Sequence, residues 1–431
     1  MRALALIDGE HYPDVVREAL AALPHEVVGA VMLGGTEKLR GAEPDYGVPL
    51  WNRLRHALSE VDADIVVDLS DEPVVDLRRR FRLASRALAA GLPYVGADFR
   101  LDPVRFEPLE RPALAIIGTG KRVGKTAVSG HVARLLAATR EVVIVAMGRG
   151  GPAAPVVVEA SPTLDDLLAL SREGRHAASD YIEDAALAGV VTVGARRCGG
   201  GLAGAAFLSN VEEAAHLAAS LEPDIVLLEG SGATVPPVDA GRRILVAGAS
   251  QGEHVVAGYL GAYRLLISDL VVLTMCEEPL ATAVQVDGLR AAIAEVDPRL
   301  PVIATVLRPR PVELVAGRRV AFFSTAPEAI HDRLRAHLEK EHGADVVLVS
   351  GALANRGVLR AELDGPEAAR AEVFLVEIKA AAIDVVAEAA QARGVPVVFA
   401  DNEVLPLPGE LDLDEQVGAL ADAVVVEGVA A

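Results

Sequence analysis

The run from Ala115 to Leu136, AIIGTGKRVGKTAVSGHVARLL, constrains the fold more than any other part of the chain. An apolar strand enters a glycine-rich turn, and a helix opens at Gly-Lys-Thr. Glycines let backbone N–H groups turn inward around phosphate oxygens, and the helix N-terminus adds partial positive charge. Lys125 is placed to reach the β- and γ-phosphates of a nucleotide, and the Thr126 hydroxyl to hold magnesium. The usual spacing asks for a glycine where Thr119 stands, with Gly118 one step earlier. Gly118, Thr119, Gly120, Lys121, Gly124, Lys125 and Thr126 are the candidate nucleotide-binding residues.

The rest of the chain repeats a strand–helix rhythm. Apolar runs at Ala113–Ile117, Glu141–Ala146, Val190–Val193, Asp224–Leu228, Arg243–Ala247, Leu270–Thr274 and Val302–Val306 read as strands, with helical stretches between them. That alternation predicts an α/β fold, a P-loop NTPase-like and mostly parallel sheet, with an additional N-terminal α/β domain. Aromatics are only 3% of the 431 residues, so the cores rest on Ala, Val, Leu and Ile. Three prolines in LDPVRFEPLERP, Leu101–Pro112, suit a linker. The expected division is 1–110 for the N-terminal domain, 111–340 for the nucleotide-binding core and 341–431 for a C-terminal α/β extension of that core.

A formal charge of -20 argues against general nucleic-acid binding, which needs a basic footprint. Cys198 and Cys276 form neither a disulfide framework nor a zinc pattern, and a reducing cytoplasm suits both. The first apolar stretch is too short for a signal peptide, and no run is long enough to span a membrane.

A second carboxylate-bearing element completes the phosphate site. Pro223–Val238, PDIVLLEGSGATVPPV, is an apolar strand that delivers Glu229 just before glycines. That is the Walker B arrangement, in which the acid supports magnesium together with Thr126. Arginines occupy other glycine-rich loops beyond strand ends, where ligands of parallel sheets bind. Arg149 lies in MGRGGP, and Arg196 and Arg197 open RRCGGGLAG. Cys198 sits beside them and is expected to pack. Glu377 and Lys379 share one strand face. Leu307–Pro311, LRPRP, reads as a turn from which Arg308 could stack on adenine.

The turn and the Glu-Gly-x-Gly strand resemble dethiobiotin synthetase and its P-loop relatives. IDGEHYPDVV, GTGKRVGKT, MGRGGP, GRHAASDYIEDA, RRCGGGLAG, LLEGSGATVPPV, LRPRP and EIKAAAIDVV together resemble the cyclic 2,3-diphosphoglycerate synthetases, from Ile7 to Val386. The resemblance implies an ATP-dependent ligase using ATP and Mg2+, which closes 2,3-diphosphoglycerate into a cyclic pyrophosphate with release of ADP and phosphate. Lys125, Arg149, Arg196, Arg197 and Lys379 are then the residues expected to act on the substrate. A cytoplasmic homo-oligomer, a dimer, without nucleic-acid or membrane partners, is the expected setting. Another P-loop ligase or kinase for a small acid, or a regulatory ATPase, remains open on the residues alone.

Overall fold

Two sheets carry the chain, and both follow from its Val/Ile/Leu/Ala runs. The computed structural model describes residues 1–35, 37–39, 44–174, 177–378 and 382–430. The N-terminal sheet contains β1 (Arg2–Ile7), β2 (Glu26–Met32), β3 (Leu50–Trp51), β4 (Ile65–Asp68), β5 (Tyr94–Val95) and β6 (Arg100–Leu101). Their order is β3-β2-β1-β4-β5-β6, parallel except for the last pair. β2 is not legible as an apolar run, because Gly29 interrupts it. The gap is filled from outside: a Cβ at Gly29 would lie 2.4 Å from the Trp51 ring.

The second sheet is built from β7 (Ala113–Gly118), β8 (Val142–Gly148), β9 (Val156–Val158), β10 (Val191–Cys198), β11 (Leu208–Ser209), β12 (Ile225–Glu229), β13 (Arg242–Gly248), β14 (Leu270–Thr274) and β15 (Val302–Pro311). It continues into β16 (Arg319–Phe323), β17 (Asp345–Ser350), β18 (Val373–Glu377) and β19 (Val397–Pro406). The order is β11-β10-β8-β12-β7-β13-β14-β15-β19-β18-β16-β17, with β9 paired to β10. A single 13-stranded sheet therefore runs from the nucleotide-binding core into the C-terminal part.

The junction is the pair β15 and β19. Val302–Ala304 run parallel to β14, and Thr305–Pro311 then run antiparallel to β19. LRPRP is thus strand, not the turn expected from its prolines. Val312 N–H donates to Phe399 O, so by alternation the even-numbered residues face β19. Pro309 and Pro311 fall on the other side, where the missing N–H costs no ladder bond.

Helices cover both faces of the core strands. Lys125–Ala137, Asp180–Ala188 and Leu413–Ala430 pack on one face, over Leu114, Ile116, Ile144 and Leu227. The other face joins a larger core that extends without a break into the N-terminal sheet, through Leu88, Tyr94 and Tyr263. Among the described residues, no helix is long and apolar enough to cross a membrane.

Candidate active site

β7 ends at Gly118, and the helix Lys125–Ala137 begins after Gly124, whose φ is +81°. An L side chain rarely adopts that backbone, which explains glycine there. Thr119 needs no such freedom: its φ is not positive, and its hydroxyl donates to Gln251 Oε1. Glycine is therefore not required at the one position where the spacing departs from the usual pattern. Arg122, in the middle of the turn, does hold a positive φ of 57°. The Lys125 side chain folds back over Gly118, where an added Cβ would meet its Cδ at 2.7 Å.

β12 lies beside β7 and delivers Glu229 level with Ile116. Thr126 Oγ1 donates to Glu229 Oε1 at 3.2 Å. Both members of the expected magnesium pair are thus together. Sequence reasoning missed a second acid, Asp184, which is 1% exposed and sits against Glu229. Neither Asp184 oxygen has a hydrogen-bond partner among the described residues, nor does Glu229 Oε2. Burial pushes Asp184 well above the usual carboxylate range, and the charge of Glu229 adds to that. Burial also raises Glu229, while the Lys125 ammonium opposes the rise. Buried carboxyl oxygens without partners are costly, and a hard oxygen-loving cation relieves them. The donor set fits Mg2+. Its signal in the sequence is the i, i+4 spacing of Asp180 and Asp184 in SDYIEDA, which puts both on one helix face. Asp180 does approach the loop, 3.3 Å from a Cβ built at Gly148.

The arginines converge on Gly232, in the loop after β12. A Cβ there would lie 3.1 Å from Arg149 Nη2, 3.3 Å from Arg197 Nη2 and 3.9 Å from Lys121 Cγ. Gly232 O in turn lies 3.0 Å from a Cβ built at Gly118, under Lys125. The loops after β7 and β8, the start of the helix Lys125–Ala137 and the end of β10 thus bring four cationic side chains around the β12 loop. Arg197 is 9% exposed and donates to Ser231 O at 2.8 Å and Gly199 O at 3.2 Å. Its burial, and then the neighbouring Arg149, lower its affinity for its proton. Two guanidiniums held this close call for an anion between them.

Other expected residues fall elsewhere. Arg196 alternates with Arg197 and projects from the face that carries Glu229, by the register Arg196–Gly148 and Glu229–Ala146. Cys198 was expected to pack and is exposed instead, because it ends the strand. Arg308 does not project from a turn. It is fixed on β15 by Glu277 through bonds of 2.5 and 2.7 Å, which commits the guanidinium expected to stack on a base. Glu377 accepts from Thr325 N and Oγ1. Lys379, like Arg175 and His176, lies outside the described residues. The acidic loops of the N-terminal domain pair internally: Asp68 takes Arg80, Ser70 and Tyr94, and Asp8 takes His11.

A cleft of about 640 Å³ opens between that domain and the core, lined by Leu77, Phe81, Gln251, His254, Tyr259 and Gln285. Gln251 links it to Thr119 of the phosphate loop.

Residues 2–102, 113–306 and 311–403 match in turn the N-terminal, P-loop and C-terminal domains described for cyclic 2,3-diphosphoglycerate synthetase. Proteins of that name align along nearly the whole chain. The one from Rubrobacter xylanophilus is 53% identical over 420 residues, covering 94% of each chain. That from Methanothermus fervidus is 42% identical over 448 residues, covering 98% of this chain and 96% of its own. Among solved structures, LpxK from Aquifex aeolicus in complex with ATP aligns over 74% of this chain and 90% of that one. Its identity is 14% and its TM-score 0.41, too loose a likeness to argue from. With a phosphate loop, a buried acid pair and an arginine patch on its sheet edge, and with relatives of this closeness, the chain belongs to the cyclic 2,3-diphosphoglycerate synthetase family.

Proposed function

We propose that this chain uses ATP and magnesium to close 2,3-diphosphoglycerate into its cyclic pyrophosphate, releasing ADP and inorganic phosphate. The observation that carries the reading is the patch at Gly232, where Arg149, Arg197 and Lys121 crowd one point beside Lys125. A single transferred phosphoryl group does not need that much positive charge, but a bisphosphate lying against ATP does.

The reaction balances in two displacements. An oxygen of one substrate phosphate attacks the γ-phosphorus of ATP. The bond from that phosphorus to the β-bridging oxygen breaks, and ADP leaves. An oxygen of the second substrate phosphate then attacks the activated phosphorus that is still bonded to the glycerate. The ring P–O–P bond forms, and the former γ-phosphate departs as inorganic phosphate. Phosphates are ionised near neutral pH, so no strong base is needed; position and charge neutralisation do the catalysis.

Lys125 neutralises the β- and γ-oxygens from its place over Gly118. Arg149 and Arg197 hold the glycerate phosphates, and Arg196 approaches from the opposite face of β10. Thr126 and Glu229, with Asp184 behind, are the residues that would hold Mg2+. Bound there, the ion supplies charge neutralisation of the nucleotide phosphates. An exposed free Cys198 suits a reducing cytoplasm.

Phosphorus NMR of the reaction tests the proposal. The expected product shows two coupled pyrophosphate-type resonances and no terminal phosphomonoester. ATP consumption with only a linear phosphorylated acid would make the enzyme a kinase. No ATP consumption with any phosphoglycerate would remove the substrate assignment.

A further inference from the structure

A second cluster of ligating side chains lies in the C-terminal part, away from the phosphate loop. His337 and His342 sit on the helix His331–His342, and Glu403 on β19. Nε2 of His337 lies 3.6 Å from Glu403 Oε2, and Nε2 of His342 lies 4.0 Å from Oε1. Ligand atoms of all three fall within 4.8 Å of one another. Neither separation is a hydrogen bond. Both Nε2 atoms are nevertheless buried and have no partner among the described residues. The His337 side chain is only 9% exposed.

We propose that His337, His342 and Glu403 form a binding site for a divalent transition metal of the zinc class. Two imidazoles turned toward the two oxygens of one carboxylate present three donor atoms to one point, and neither ring nitrogen has a hydrogen-bond partner among the described residues. Tetrahedral zinc, with bonds of about 2.0–2.1 Å, sets its ligand atoms about 3.3 Å apart. Closing 3.6 and 4.0 Å to that value takes only small side-chain rotations. Two nitrogens and a carboxylate select zinc, cobalt or nickel over magnesium or calcium, which prefer oxygen alone. Burial lowers the His337 pKa and so favours the neutral, ligating ring; Arg308 and His342 act the same way, and Glu403 and Glu341 oppose them. The Arg308 guanidinium, on the residue paired with Glu403, is turned to Glu277, and Arg333 reaches the same carboxylate.

The ion would tie the end of a C-terminal helix to β19, on the strand that joins the two halves of the large sheet. Leu307, next along β15 from Arg308, lies 3.1 Å from a Cβ built at Gly124. The site would thus brace the wall behind the nucleotide loop without belonging to it.

The test is Co2+ titration of the chelator-treated full chain, read by visible absorption. One equivalent should give intense tetrahedral bands, abolished by Zn2+, which should also raise the melting temperature. His337→Gln and His342→Gln should each remove the bands, and Glu403→Gln should weaken binding at least about tenfold. Glu229→Gln and Cys198→Ser should keep them, which separates this site from the active site and the free thiol. Should a histidine variant fail to fold, zinc-edge absorption of the wild-type chain still decides, by showing two imidazole ligands or not. A wild-type chain without tetrahedral bands, or bands that survive both histidine substitutions, would overturn the proposal.

Discussion

Two buried carboxylates, Asp401 and Glu229, lie along the helix Lys125–Ala137, beside Gly130 and Thr126, and have been treated differently by the fold. Asp401, 3% exposed on β19, is met by Arg134 from that helix and by Arg310 from β15. Glu229, 4% exposed, has one weak donor in Thr126 and another acid, Asp184, at its back. The first region is finished, with its charge answered inside the protein. The second is left short of positive charge at its acids and short of negative charge at its arginines. Asp401 has its counter-charges built in, whereas the active site leaves both signs unanswered, which supports the proposal that it takes a cation and an anion.

Each substitution below presses on that contrast. Lys125→Ala removes the cation proposed to neutralise the transferring phosphoryl group. Turnover is expected to fall roughly a thousandfold or more, about 4 kcal/mol, with an unchanged circular dichroism spectrum. A variant with near-full activity would take Lys125 out of the mechanism. Asp401→Asn acts on the finished region instead and leaves Arg134 and Arg310 without their counter-charge. Denaturant titration should show a loss of about 3 kcal/mol, since breaking a buried pair strands its partner. If stability is unchanged, the two regions are not opposites.

Arg149→Ala touches the anion side of the active site. It should weaken diphosphoglycerate binding by about 1.5–3 kcal/mol, tenfold to a hundredfold, and ATP binding far less. Equal losses for both ligands, measured by calorimetry, would place Arg149 on the nucleotide. Glu229→Gln should have opposite effects on function and stability. The magnesium requirement rises and turnover falls, yet the metal-free protein gains about 1 kcal/mol as the cost of burying an under-partnered carboxylate is relieved. Destabilisation in place of that gain would mean that Glu229 is already satisfied. The smallest effect is expected at Arg122, whose positive φ stores strain in the phosphate loop. Arg122→Gly should stabilise the chain by about 0.5–1 kcal/mol in thermal unfolding.

The parallel strands of the large sheet were legible because strands buried on both faces are unbroken apolar runs, whereas the short antiparallel β9 and β11 were not. The phosphate loop and Glu229 were legible because their chemistry needs fixed residues at fixed places. What escaped did so for identifiable reasons. β2 hides behind Gly29, whose missing side chain is supplied by Trp51, a tertiary substitution that no local pattern shows. LRPRP reads as a turn because proline usually ends a strand, and only the register shows both prolines on the outer side. Asp184 sits on a helix where an acid normally means solvent, and its burial against Glu229 is long-range. Convergence of Arg149, Arg197 and Lys121 on Gly232 depends on strand order, which no residue spacing fixes.

That strand order also bears on how the chain is made. The seven residues Thr305–Pro311 of β15 pair with Ala400–Pro406, and the helix Leu413–Ala430 covers strands formed long before it. On a ribosome the phosphate loop and its sheet emerge early, while β15 waits with one edge open until β19 follows. The large sheet therefore closes late, through pairings between distant residues, which form slowly. Until then the β19-facing edge of β15 is open to strand pairing with a neighbour.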